Sequence, residues 1–347
     1  GSLIFLIYPF SRSRPKNRID FWDWILAGLM AAGCLNILLN WEAIAMREGM
    51  PTKSDIYLGS MMVVLVIEAG RRAMGWPLPI VAILAIAYAI FGPYFPGMLA
   101  HGGFPLEELA PFQYLRTDGI FGVPLGVSAT FVVMFIIFGA FLGRSGGARF
   151  FNELALAVAG HSPGGPAKVA VVASGLLGTI NGSSVANVAT TGTFTIPLMK
   201  RVGYKPEYAG AVEACASTGG QLMPPIMGAG AFIMSEFLGI PYLRIAAAAI
   251  IPAILYYTAI FVNVHISARK NGLRGLSRDE LPVIREVLKK DGHLLIPIGV
   301  VIGTLLMKYT PVASAFFGVV SVVVVSQFRK HTRMGFKDIL DAMEEGS

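Results

Sequence analysis

Asn181-Gly182-Ser183-Ser184-Val185-Ala186-Asn187 interrupts an otherwise apolar run, 166–199. A bilayer core about 30 Å thick takes about 20 helical residues, so an unbroken run of this length would read as one span. The interruption speaks against that, because non-helical backbone at membrane depth is tolerated only against protein or beside a lined cavity. The run reads instead as a re-entrant helical hairpin. Its expected arms, 169–180 and 188–199, have 12 residues each, about 18 Å of helix and too short to cross. Gly182 gives the turn its backbone freedom. Asn181, Ser183, Ser184 and Asn187 bring amide and hydroxyl oxygens to the tip. With the carbonyls of two helix ends, such a cluster replaces the hydration shell of a cation such as Na⁺. Thr190, Thr191, Thr193 and Thr195 continue the polar run, where hydrogen bonds that simply hold helices together are the leading explanation.

The rest of the chain supports a membrane setting. Of 347 residues, 54% are hydrophobic and 14% charged, against about 25% charged in a soluble domain. Gly (40) and Pro (21) are frequent, as in membrane helices. Expected spans are 22–40, 56–75, 78–95, 119–143, 208–240, 243–266, 293–308 and 310–328. With a cytoplasmic N-terminus and a hairpin that returns to its own side, segments 11–18, 71–72, 144–168, 200–205, 267–290 and 329–337 face inward. They hold 23 of the 28 Lys and Arg residues. A full crossing at 166–199 would invert everything after it, against the inward bias of positive charge. The net charge of +7 is thereby accounted for without nucleic acid. Trp22, Trp24, Trp41 and Trp76 stand where interfacial anchors belong. Cys34 and Cys215 lie in apolar surroundings and read as small buried hydrophobes.

A second interruption is Ser217-Thr218-Gly219-Gly220-Gln221-Leu222-Met223-Pro224-Pro225. Two prolines remove two donors and disfavour helix at the residue before each. The helix from 208 is expected to unwind near 217–225 and restart towards 240. Discontinuous helices of this kind build midplane sites in secondary transporters. Glu213 lies one turn before Ser217 on the same face. It is either a proton or cation carrier or a residue near the cytoplasmic end that meets water. Glu68 with Arg71 and Arg72, at i+3 and i+4, reads as an interfacial ion pair.

Three stretches resemble the large membrane subunit of tripartite ATP-independent periplasmic (TRAP) transporters: Gly178-Thr-Ile-Asn-Gly-Ser-Ser-Val-Ala-Asn187, Ile196-Pro-Leu-Met-Lys-Arg-Val-Gly-Tyr204 and Ser217 to Pro225. Gly139-Ala-Phe-Leu-Gly-Arg-Ser-Gly-Gly147 and Gly160-His-Ser-Pro-Gly-Gly165 fit as well. Residues 1–75 resemble the last two helices of the small subunit, 78–328 the first half of the large one, and 329–347 a cytoplasmic amphipathic end. The fused order is similar to permeases that work with TAXI-type periplasmic binding proteins. The resemblance implies an all-α polytopic elevator fold of two inverted repeats. This chain holds the first, with hairpin 166–199 and broken helix 208–240, and the second half of the permease would be its partner.

The resemblance places Asn181, Gly182, Ser183, Ser184, Asn187, Ser217, Thr218 and Gly219 at the coupling ion, Na⁺. It places Gln221, Pro224, Pro225 and Thr190 at the substrate, and leaves Glu213 for a proton or cation. The implied activity is import of a small organic anion, commonly a carboxylate, across the bacterial or archaeal inner membrane. Proton coupling on the same fold and a non-transporting scaffold or truncated fragment are the alternatives. A membrane enzyme would need a convergent set of His, Cys, Asp or Glu, and no such set or phosphate loop is legible. Segments 41–55 and 96–118, with Glu42, Glu48, Asp55, Glu107, Glu108 and Asp118, are candidate docking surfaces for the binding protein.

Overall fold

The computed structural model describes residues 1–10, 19–47 and 50–346, and its regular elements are all helical. The basic segment 11–18, Glu48 and Ser347 lie outside the described residues. Packing divides the chain into Gly1–Gly126 and Val127–Ser347. That division answers a question of contacts, whereas the boundary at 75–78 marks a change of resemblance.

The first unit is built on α1 (Phe21–Leu39), α2 (Lys53–Met74), α3 (Pro77–Phe91) and α4 (Leu106–Leu115). Thr52 starts α2 with a capping box: its hydroxyl accepts from Asp55 N–H, and Thr52 N–H donates to the Asp55 carboxylate at 2.8 Å. Arg47 adds an ion pair to Asp55 at 3.0 Å. Asp55 is therefore buried and committed to the cap, which removes it from the expected docking surface, while Glu42, Glu107, Glu108 and Asp118 remain exposed. Gly75 (φ +85°) ends α2 and Pro77 opens α3. Arg72 lies between Glu68 (2.9 Å) and Asp23 of α1 (2.7 Å), and Glu68 also holds Arg71 at 2.7 Å. The side chain of Arg72 is 1% exposed, against 20% for Glu68 and 17% for Arg71, so the expected interfacial ion pair extends into a partly buried network that ties α1 to α2.

The second unit comprises α5 (Val123–Arg144, entered just before the division), α6 (Gly147–Ala159), α7 (Gly165–Asn181), α8 (Ser184–Arg201), α9 (Pro206–Gly219), α10 (Ala229–Leu238), α11 (Tyr242–Lys270), α12 (Ile296–Leu306), α13 (Pro311–Ser326) and α14 (Phe336–Gly346). α14 packs on α5, where Arg144 meets Asp341 at 2.9 Å and Glu345 at 2.6 Å.

Among the described residues, four helices have the length and apolarity to cross a membrane: Phe21–Leu39, Pro77–Tyr94, Val123–Arg144 and Tyr242–Lys270. Expected spans 56–75, 293–308 and 310–328 are helical but fall short, and 208–240 is broken between Gly219 and Ala229. α2 carries Asp55, Glu68, Arg71 and Arg72, and α12 and α13 have 11 and 16 residues.

Two expectations need correction. The hairpin arms have 17 and 18 residues rather than 12, about 26 Å each. Their length alone does not make them re-entrant. Helical bonding runs outward to Pro166, a favoured first-turn residue, and through Lys200 and Arg201, basic residues that suit a helix end. Both cysteines are exposed and free, not buried. In a bilayer an apolar neighbourhood faces lipid as readily as core.

Candidate functional site

The site grows from two places where helix stops. α7 ends at Gly182, which adopts the left-handed conformation (φ +56°). Ser183 then caps α8, its hydroxyl accepting from Ala186 N–H at 3.3 Å. Asn181 Oδ1 accepts from Ser183 N–H at 3.3 Å and closes the tip. The second stop is α9 at Gly219, followed by a short 3₁₀ turn at Gly220–Leu222 and a non-helical turn through Met223–Gly228 until α10 begins at Ala229. Unwinding therefore runs a few residues beyond the expected 217–225.

Glycines let the two stops meet. A Cβ on Gly178 would stand 2.3 Å from Gly220 Cα, and one on Gly182 would strike Met227 O. Gln221 crosses the junction and donates to Ser184 Oγ at 3.0 Å. Asn187 lies inside: its amide nitrogen donates to Ser174 O at 2.8 Å, while Asn187 Oδ1 is buried without a partner among the described residues.

Carbonyls freed by the break find donors on α11. Tyr256 donates to Cys215 O at 2.8 Å, Tyr257 to Ala216 O at 3.0 Å, and Tyr242 to Pro225 O at 2.8 Å and to Ile226 O. Tyrosines thus satisfy main chain that lipid would leave bare.

Glu213 is fully buried, which excludes the reading in which it meets water. Thr191 and Thr195 donate to its two oxygens, joined by Ser217 at 3.0 Å and Ser174 at 3.3 Å. Four hydroxyls from α7, α8 and α9 enclose one carboxyl, and no Lys or Arg pairs with it among the described residues. Thr191 and Thr195, four residues apart, are the inward pair of the threonine run. Thr190 and Thr193 bond carbonyls of their own helix, Ala186 O at 2.8 Å and Thr190 O at 3.1 Å.

The expected site residues thus separate into groups. Asn181, Gly182, Ser183 and Gln221 line a cavity of about 1070 Å³. Ser184 and Asn187 sit beside it at the junction, and Ser217 belongs to the Glu213 cluster. Gly219 lies under the Tyr256 ring. Thr218 turns outward and bonds Ala214 O at 2.7 Å. Neither it nor Thr190, Pro224 or Pro225 lines the cavity. Ser174, Tyr242, Tyr256, Tyr257 and Arg244 were not singled out by sequence reasoning. An adjacent tyrosine pair inside an apolar span was the one available signal.

A multi-pass helical protein that keeps unwound backbone and a hydroxyl-ringed carboxyl inside its bundle has the build of a membrane transporter. Residues 61–347 match the family described as "Tripartite ATP-independent periplasmic transporter, DctM component", and the chain belongs to that family of inner-membrane permeases. It is 26% identical over 238 residues to the isethionate TRAP transporter permease protein DctMQ of Oleidesulfovibrio alaskensis, covering 64% of this chain and 35% of that protein. It is 32% identical over 150 residues to the C4-dicarboxylate TRAP transporter large permease protein DctM of Pseudomonas aeruginosa, covering 43% and 35%. To the sialic acid TRAP transporter large permease protein SiaM of Vibrio cholerae it is 26% identical over 188 residues, covering 53% and 43%. The matched chain thus spans about a third to two fifths of the length of these relatives. The family is one of transporters, not enzymes.

Proposed function

We propose that this chain is the first inverted repeat of an elevator-type permease that imports small carboxylate-type organic anions on a sodium gradient. Its N-terminus is cytoplasmic, its substrate arrives from a TAXI-type periplasmic binding protein, and the second half of the permease completes the site. The observation that carries the reading is the orphaned Asn187 Oδ1, buried where Gly178 of the hairpin meets Gly220 of the break. A buried oxygen without a donor beside two helix ends suits a cation that takes oxygen ligands. Calorimetric titration of the purified permease with Na⁺, and with K⁺ as the comparison, tests it. Sodium-selective binding is expected, weakened about tenfold or more (roughly 1.4 kcal/mol) in Asn187→Ala and in Ser183→Ala/Ser184→Ala. Unchanged sodium affinity in both variants would remove the ion site from the tip.

The burial of Glu213 among hydroxyls favours a second reading, in which protons drive transport. Uptake that survives replacement of sodium, follows a pH gradient and is lost in Glu213→Gln would put the proton in sodium's place.

A further inference from the structure

The cavity at the hairpin tip has one ionisable side chain among its described lining residues, Arg244. Arg244 lies in the first turn of α11, where the positive end of the helix dipole disfavours a cation. It is exposed, and no carboxylate of the described residues pairs with it. Asn181, Ser183 and Gln221 line the cavity as neutral donors and acceptors, while Phe135, Ile245 and Ala248 present apolar wall.

We propose that Arg244 anchors the charged end of the transported anion, and that this anion carries a single carboxylate on an apolar body. The inference rests on the reading of the permease as an organic-anion importer and narrows its substrate class. One guanidinium forms a two-pronged bond with one carboxylate. A dicarboxylate would bring its second charge against the wall this half contributes, which offers no second cation among its described lining residues, and a desolvated charge without a partner is strongly disfavoured. The apolar wall contributes instead to binding a hydrocarbon body.

The test measures binding of butyrate, benzoate and succinate to the purified permease containing this whole chain, in lipid nanodiscs with sodium present. Wild type is compared with Arg244→Gln and Arg244→Lys. The two monocarboxylates are expected to bind about tenfold or more tighter than succinate. Arg244→Gln is expected to weaken them by at least the same factor, and Arg244→Lys to keep part of the affinity because the charge remains. Retained sodium binding reports that a variant is folded, and Arg244→Lys carries the comparison if Arg244→Gln is not. Monocarboxylate affinity unchanged in Arg244→Gln overturns the anchor and leaves anion import standing. Succinate binding as tightly as butyrate overturns the single-charge inference. No binding of any of the three acids by a wild type that still binds sodium overturns both the inference and the reading beneath it.

Discussion

Each unit buries acidic side chains, and the two burials are built in opposite ways. In the first, Asp23 and Glu68 close on Arg72, so charge meets charge. In the second, Glu213 meets hydroxyls from three helices and no Lys or Arg among the described residues. A buried ion pair is self-contained, and its geometry fails when one partner goes. A hydroxyl both donates and accepts, so a ring of them satisfies a carboxyl with or without its proton. The first arrangement suits holding α1 to α2. The second divides the contacts of one carboxyl among three helices.

The comparison is broken most forcefully at Arg72. Arg72→Ala leaves the Asp23 carboxylate buried without its counter-charge, while Glu68 keeps Arg71, and is expected to cost about 3 kcal/mol. A large fall in the melting temperature of the purified protein checks it, and a melt within error of wild type would show that the network is not structural. Glu213→Ala removes the acceptor shared by the hydroxyls of Ser174, Thr191, Thr195 and Ser217, of which Thr191 and Thr195 keep carbonyls of α8 within reach, a loss of about 1–3 kcal/mol, whereas Glu213→Gln keeps acceptor and donor in place and stays closer to wild type. Equal melting of the two variants would mean the carboxyl does not organise its hydroxyls. Gly178→Ala drives a methyl towards Gly220 Cα and is expected to cost about 1–3 kcal/mol together with sodium affinity. Gly143→Ala, whose Cβ would meet nothing within 4 Å, is the neutral control.

The tip and the break were legible because Gly, Pro, Ser and Asn act locally on the backbone that carries them. The partner of each polar residue was not legible, because partnership is decided across helices. Thr191 and Thr195 differ from Thr190 and Thr193 in the face they occupy, and a run of threonines does not say which face is inside. An i, i+4 pairing set against Glu213 would have selected the first two. Ser174 lies in an apolar run where a hydroxyl carries no signal of its own. Arg244 stands at the outer end of the expected span 243–266, where a basic residue carries no signal of the cavity it lines. Cys34 and Cys215 were misread because apolar context means burial only in a protein surrounded by water.

The smallest effect lies at the end of the second unit, where α14 returns to α5. The Arg144 guanidinium hydrogen-bonds Glu345 and holds its carboxyl below the usual carboxylate range. A carboxyl whose folded value is depressed stabilises the folded arrangement above its unfolded value, and that contribution is lost as pH falls through the folded one. The side chains are 30% and 53% exposed, so salt screens the pair and its contribution is small. Hydrogen exchange across Phe336–Gly346 is therefore expected to be slow at neutral pH, after correction for the intrinsic rate. It should quicken below about pH 4 and in high salt, while the α7–α8 hairpin keeps its protection. Arg144→Gln should show the fast behaviour at every pH. If the variant keeps wild-type protection, the burial of Ala342 and the close approach of Gly346 to Ile137 hold α14 in place. The ion pair would then be incidental, and Arg72 would remain the clear case in this chain of charge used to fix one helix against another.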